Sequence, residues 1–215
     1  MSTRALALAI VLAPLALAGC GGDDGDGGGQ GENGGGGGRS EVFPAGGSVP
    51  DDSGLPLEQA ARAAGCVLKT TPSRGEADRQ HTTSADEKVR YRGNPPTLGR
   101  HAPQPAGDGL YQQAPPDESL VHTMEHGRVI IWANASLPSD ARSALRALFE
   151  EDDYQLVITP RANMPYEVAA TAWNGDPQPG GTGRTLGCPK WNDEVVDALR
   201  AFRDEHRSRG PEPVP

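Results

Sequence analysis

The sequence predicts a small α+β domain with a short mixed or antiparallel sheet, several helices and many loops. Apolar runs that are typical of strands alternate with amphipathic helical segments, but without the regular spacing of βαβ units. The 215 residues include 29 glycines and 20 prolines, so we expect one modest domain accompanied by an unstructured segment.

Residues 1–19 have the features of a lipoprotein signal peptide. Arg4 supplies a positive charge, and the apolar run 5–18 is too short for a stable transmembrane helix. Residues 17–20 read L-A-G-C and resemble the lipobox of bacterial lipoproteins, in which cleavage before the cysteine leaves an acylated terminus. Fatty acyl chains of the palmitate type on Cys20 would anchor the protein on the extracytoplasmic face of the cell membrane. The alternatives are an uncleaved anchor and an ordinary signal peptide.

The stretch 20–55, which begins with the lipidated Cys20, is predicted to be a disordered tether rich in glycine and aspartate. It has little apolar surface to bury, and a coil of this length spans roughly 30 Å. Its seven acidic residues against Arg39 contribute −6 of the formal net charge of −9. This acidic balance argues against a nucleic-acid partner, because such a partner requires a basic face.

The folded domain is predicted over residues 56–209, with a Pro-rich tail at 210–215. Helical patterns occupy 57–64, 137–150 and 191–207, and strand patterns occupy 128–132, 155–159 and 167–173, with a short strand at 88–91. Residues 174–187 are rich in glycine and proline, so we expect a loop there. His206, near Arg203 and Arg207, is expected to be solvated.

Two cysteines remain once Cys20 is assigned to the lipid anchor. In a chain exported to an oxidising compartment, a single disulfide between Cys66 and Cys188 is the economical prediction. The alternative is a metal-binding or redox pair, although no C-x-x-C motif supports it.

The segment 117–127 is the most informative part of the sequence. It is predicted to form a short helix with Asp117 as N-cap and Gly127 at the left-handed position after the C-cap. Its histidines, His122 and His126, are four residues apart on one face, and Glu125 is three residues after His122. Two imidazoles one turn apart can bind a single transition-metal ion. The alternative is a surface helix with solvated histidines.

Two further histidines precede this helix. His101 ends the run N-P-P-T-L-G-R-H, whose prolines restrict the backbone and so hold the side chain on a stiff loop. His81 lies in the polar stretch R-Q-H-T-T. A stiff loop suits a ligand better than it suits a solvated surface histidine.

These motifs resemble a family of exported bacterial proteins, DUF3105, over about residues 59–205. That family's core reads N-P-P-x-S-G-x-H, then V-H-x-L-E-H-G, then x-A-W-G. The chain differs at Leu98, at Met124 and at Asn174, which separates Trp173 from the glycine. None of these differences removes a candidate ligand, although the first removes a hydroxyl near His101. The matching positions are Cys66, His81, Tyr91, Pro95, Pro96, Gly99, His101, Gly109, Tyr111, Glu118, Val121, His122, Glu125, His126, Gly127, Ala172 and Trp173. The family's function is unknown, so the resemblance implies a fold grouping and a motif but no reaction.

The leading interpretation is a metal site for one copper or zinc ion. Imidazole is a ligand for both metals. Glu125 would be a further ligand or would accept a hydrogen bond from an imidazole. Met124, next to the ligand turn, is expected in the core. The proposed ligands are His101, His122 and His126, with His81 as a fourth and Glu125.

Three alternatives remain. The histidines and Glu125 could form a hydrogen-bonded network that supports the fold, or the domain could present a surface to other envelope proteins. The order H-x-x-E-H at residues 122–126 is also that of inverzincin peptidases, in which the glutamate is the general base. Against the peptidase, Gly127 ends the helix at once and those enzymes are larger.

Overall fold

A computed structural model describes residues 41–212 and residue 214. The predicted signal peptide, Cys20 and the first part of the tether lie outside this range. The described residues all belong to one compact unit, Arg39–Pro215. Within them, no helix combines the length and the apolar character needed to cross a membrane.

Across the described residues the domain has four α-helices and six strands, which confirms the α+β prediction. The helices are α1 (Leu57–Ala63), α2 (Asp117–Glu125), α3 (Ser139–Glu151) and α4 (Glu194–His206), with a 3₁₀ helix at Gly75–Arg79. The strands are β1 (Val67–Pro72), β2 (Gly109–Leu110), β3 (Val129–Ala133), β4 (Leu156–Pro160), β5 (Val168–Asn174) and β6 (Thr182–Cys188).

The strands form one mixed sheet in the order β1-β6-β5-β3-β4-β2. The pairs β3–β4 and β2–β4 are parallel, whereas β1–β6, β6–β5 and β5–β3 are antiparallel. Strands β3 and β5 are completely buried, since both faces of the sheet are covered.

Alternate side chains of the strands belong to two separate hydrophobic cores, one on each face of the sheet. Val129 and Ile131 point to the face covered by α1, α3 and α4, which we call the helix face. Ile130 and Trp132 point to the opposite face, which is covered by α2 and by loops and which we call the site face.

The predicted disulfide between Cys66 and Cys188 is present, and it joins residues 122 positions apart. Cys66 directly precedes β1 and Cys188 ends β6, so the bridge fastens the edge strand to its neighbour. Cys188 is completely buried in the core of the helix face.

Strands β1 and β6 were not expected, and the predicted strand at 88–91 is not formed. Strand β1 is an edge strand with mostly exposed side chains, so it lacks the alternation that would identify it. Strand β6 contains Gly183 and Gly187, which usually weaken a strand. Here a Cβ at Gly183 would lie 2.3 Å from Thr97 Oγ1, and one at Gly187 would lie 2.4 Å from the Tyr166 ring. The glycines therefore allow the site face to pack closely on β6.

Residues 41–50, which fall within the predicted disordered tether, pack against the domain. Phe43 is completely buried in the helix face, and its carbonyl accepts a hydrogen bond from Arg146 Nη1 at 3.3 Å. The carbonyl of Pro50 accepts one from Arg200 Nη2 at 2.8 Å. This segment has neither helix nor strand, so its attachment depends on tertiary contacts that local sequence does not reveal.

Candidate metal centre

Helix α2 places the central motif on the site face. Asp117 is its first helical residue and not its N-cap, because Pro116 takes that position and the Asp117 carboxylate binds Arg161 Nη1 at 2.6 Å. The helix ends as predicted, since Gly127 has a φ of +87° after the C-cap residue His126. Met124 is completely buried, which confirms its place in the core.

The ring of His122 is held in one tautomer. Its Nδ1 lies 2.7 Å from the carbonyl oxygen of Ala102 and donates a hydrogen bond to it. The side chain is almost completely buried, and burial lowers the pKa of His122 to about 4, so the ring is neutral at pH 7. The Nε2 atom of His122 therefore carries a lone pair, and it lies 3.1 Å from Nε2 of His126.

His101 is held in the same way and is completely buried. Its Nδ1 donates to the carbonyl oxygen of Gly99 at 2.8 Å. Its Nε2 lies 2.9 Å from Oε2 of Glu125, but this short contact lacks the direction of a hydrogen bond, and Nε2 has no other partner in the described chain. The two atoms are buried and close together, but they are not aligned for a hydrogen bond. Two atoms that could bind the same ion would have this arrangement.

Glu125 is 1% exposed. Burial alone would raise the pKa of Glu125, but His101 and Arg79 together outweigh burial and lower this pKa. Glu125 is thus a carboxylate at neutral pH. Its Oε1 accepts a hydrogen bond from Arg79 Nε at 3.2 Å, which leaves Oε2 for the histidines.

His81 completes the group from the solvent side. It is exposed, and its main chain pairs with that of His101 in an isolated parallel bridge. The ring centroid of His81 lies 5.0 Å from that of His101 and 4.9 Å from that of His122.

We call His81, His101, His122 and Glu125 the His/Glu cluster. Each residue offers one ligand atom, and the four atoms lie within 4.8 Å of one another. With metal–ligand bonds of about 2.0 Å, two ligands of a tetrahedral ion are about 3.3 Å apart. The four atoms therefore have to move closer together before one ion can contact three imidazoles and one carboxylate at these bond lengths.

The predicted ligand His126 is not part of this four-atom group. Its Nε2 lies 3.1 Å from Nε2 of His122, and it forms a second group of potential ligands with Glu125 and Glu212. Burial lowers the pKa of His126. Helical spacing brought His126 beside His122, but it did not bring it to His101.

Glu212 and Arg79 are site residues that the sequence did not reveal. Residues 210–215 were predicted as a tail, yet the main-chain nitrogen of Glu212 donates to the carbonyl of Glu125 at 3.1 Å. A Cβ on Gly210 would lie 2.1 Å from the same carbonyl, so this close approach requires glycine. Arg79 Nη2 lies 3.6 Å from Glu212 and links the end of the chain to the cluster.

The fifth histidine, His206, was wrongly expected to be solvated. It is 5% exposed, its ring packs against that of Phe202 at a centroid distance of 4.5 Å, and its Nδ1 lies 3.2 Å from Asn174 Nδ2. Burial, aided by the charges of Arg184 and Arg209, lowers the pKa of His206 to about 4.

The geometry does not fit the inverzincin interpretation of the H-x-x-E-H order. A general base must reach a metal-bound water, but Glu125 is buried between His101 and Arg79. Helix α2 also ends at Glu125 itself. In this fold the glutamate faces His101 and Arg79.

Comparison with known proteins gave one match. No curated protein and no solved structure matches the chain. A family model described as "Protein of unknown function (DUF3105)" matches residues 81–214, which is more than half of the 215 residues and includes the whole His/Glu cluster. The chain therefore belongs to the DUF3105 family.

Proposed function

We propose that this protein is a membrane-anchored extracytoplasmic lipoprotein that binds one zinc or copper ion through the His/Glu cluster. The observation that carries the proposal is the state of His101 Nε2, which is buried, is 2.9 Å from Glu125 Oε2 and lacks a directed hydrogen bond. Such an atom requires either a second proton or a metal ion.

The surroundings of His101 favour the metal ion over the second proton. The ring centroids of His101 and His122 are 4.8 Å apart, and Arg79 already neutralises Glu125. A charged His101 would have to share the Glu125 carboxylate with Arg79, and it would leave the lone pair of His122 without an ion to bind. A metal ion would instead use the lone pairs of all the imidazoles.

The hydrogen bonds behind the ligands support the same conclusion. His101 and His122 each donate Nδ1–H to a main-chain carbonyl, so their Nε2 atoms are the ones that face the cluster. Metal-binding histidines commonly use the second ring nitrogen in this way, because the hydrogen bond fixes the tautomer and the ring orientation.

The donor set favours zinc or divalent copper. Imidazole and carboxylate are ligands of these ions, whereas cuprous copper prefers sulfur. Two kinds of sulfur are committed elsewhere. Cys66 and Cys188 form the disulfide on the helix face, and Met124 Sδ accepts a hydrogen bond from Thr171 Oγ1 at 3.3 Å in the core of the site face.

Anchoring at the membrane is proposed from residues 1–20, and the disulfide supports export. Disulfides form and persist in oxidising compartments, which are reached by exported proteins. Acyl chains on Cys20 would then hold the domain at the outer face of the membrane. We expect Cys20→Ala to move the protein from the membrane fraction to the soluble fraction. Retention of the variant in membranes would contradict the lipid anchor.

Elemental analysis of the full chain, purified under oxidising conditions without a histidine tag, tests the metal site. We expect about one zinc or copper ion per chain in the wild type and almost none in His101→Gln/His122→Gln. His206→Gln is the matched control, because it removes a buried histidine outside the cluster and should keep the ion.

The same proteins give a second readout in thermal unfolding. An ion that binds only the native state adds about 2.7 kcal/mol at a concentration one hundred times its dissociation constant. The wild type and the control should gain this stability, and the double variant should not. Absence of the ion from all three proteins after reconstitution at neutral pH would contradict the metal site. It would leave a His101–Glu125 ion pair within a structural network.

A further inference from the structure

We propose that His81 is the exchangeable ligand of this ion, so that the ion is passed to or taken from another molecule through the position that His81 vacates. The inference rests on the proposed metal site and concerns how that site is used. The incoming ligand would be a nitrogen donor such as the imidazole of a partner protein, because it replaces an imidazole on the same metal.

The first argument is the contrast in how the four ligands are held. The rings of His101 and His122 are each fixed by a hydrogen bond from Nδ1 to a carbonyl oxygen, and Glu125 is fixed by Arg79. The ring of His81 contacts the other imidazoles, but it makes no hydrogen bond within residues 41–212. Only the contact with the ion would therefore hold this ring.

The second argument is exposure. The other three members of the cluster are at most 5% exposed, whereas His81 is exposed to solvent. An exposed side chain that leaves the ion can be solvated at once, but a buried imidazole that leaves would lose its partner without gaining water. Replacement of a ligand therefore costs least at His81.

The third argument is that the main chain at His81 is fixed while its ring is free. The main-chain nitrogen of Thr82 donates to the carbonyl of His101 at 2.7 Å, and that of His101 donates to the carbonyl of Gln80 at 3.2 Å. These two bonds hold the residues on both sides of His81. Release of the ligand then requires only rotation of the side chain, which in exposed residues takes picoseconds to nanoseconds.

An ion left with His101, His122 and Glu125 has three protein ligands and one open position toward solvent. This is the arrangement of sites that accept an external ligand, whereas structural sites are closed by four fixed ligands. The ion would thus be exchanged with another molecule and would not serve to stabilise the fold.

The test compares His81→Ala with His122→Ala in the full chain, each loaded with zinc and then mixed with an excess of a chromogenic chelator. We expect His81→Ala to keep about one zinc ion but to release it at least about tenfold faster than the wild type. Loss of a residue that only hydrogen-bonds to a ligand already lowers metal affinity by about tenfold or more, so loss of a ligand should have at least this effect. Millimolar imidazole should fill the vacated position and slow the release again. His122→Ala should hold no zinc, with or without imidazole.

The outcomes separate the inference from the proposed function. A wild-type chain that holds neither zinc nor copper overturns both. If the wild type holds zinc, His81→Ala is compared with His122→Ala. Equally complete loss of zinc from both variants would make His81 an essential ligand. It would overturn the inference about exchange but not the metal site. Release from His81→Ala at the wild-type rate, or release that imidazole does not slow, would also overturn it. Cobalt-loaded His81→Ala supplies a spectroscopic check, since bound imidazole should change its visible absorption.

Discussion

The two faces of the sheet both bury histidine, but in different surroundings. On the helix face, His206 packs against Phe202, and its Nδ1 lies 3.2 Å from Asn174 Nδ2. On the site face, His101 and His122 converge with their Nε2 atoms toward Glu125 and the exposed His81. Burial lowers the pKa of both His206 and His122 to about 4.

A lowered pKa therefore does not distinguish a binding site from a packed core histidine. The distinguishing feature is where the free ring nitrogen points. On the site face, the second ring nitrogen of His101 lies 2.9 Å from a carboxylate oxygen of Glu125, and that of His122 lies 3.1 Å from a ring nitrogen of His126. On the helix face, His206 Nε2 lies 3.9 Å from Glu205. The helix face thus has the features of a supporting core, and the site face has those of a ligand site.

The largest expected effect concerns the helix face and its disulfide. The bond between Cys66 and Cys188 joins residues 122 positions apart. Loss of a crosslink over a loop of this size lowers the free energy of unfolding by about 5 kcal/mol in the chain-entropy treatment. We expect Cys66→Ala/Cys188→Ala to lose this stability in urea unfolding but to keep the metal stoichiometry of the wild type at low temperature, where the variant is folded.

Reductant supplies the control for this prediction. It should lower the stability of the wild type by a similar amount and leave the double variant unchanged, because the variant has no bond to reduce. Loss of metal from the folded double variant would show that the two faces are coupled, and unchanged stability would show that the bond does not support the helix face.

The local sequence pattern was sufficient to predict the central strands and the main helices. Strands β3, β4 and β5 and helices α3 and α4 were all predicted, because each has either an unbroken apolar run or a clear helical stripe. The edge strand β1 and the glycine-containing β6 were missed, since their formation depends on pairing with each other and on the packing of Tyr166 over Gly187.

The residues of the candidate site also fall into those that the sequence pattern predicted and those that it did not. Helical spacing related His122 to Glu125, and the stiff loop singled out His101. The contacts of Arg79 and Glu212 with Glu125 could not be predicted, because they join residues that are distant in sequence through loops without a periodic pattern. The burial of His206 could have been predicted, since Phe202 lies four residues earlier on the same face of α4.

The smaller expected effect concerns the pH dependence of the helix face. His206 has a pKa of about 4 in the folded protein and about 6.5 when unfolded, so the unfolded state binds more protons between these values. The stabilisation due to neutral His206 is fully present above pH 6.5 and is lost as the pH falls toward 4. At pH 5.5 we expect the wild type to be less stable than at pH 8 by about 1.4 kcal/mol from this residue.

His206→Gln isolates this contribution. Glutamine does not titrate, so urea unfolding of the variant should lose less stability than the wild type between pH 8 and pH 5.5. All other side chains are the same in both proteins, and the difference between the two pH curves therefore reports His206 alone. Parallel curves would mean that His206 binds a proton as readily in the folded state as in the unfolded state. Its packing on Phe202 would then not keep it neutral, and the contrast between the faces would rest only on the direction of the ring nitrogens.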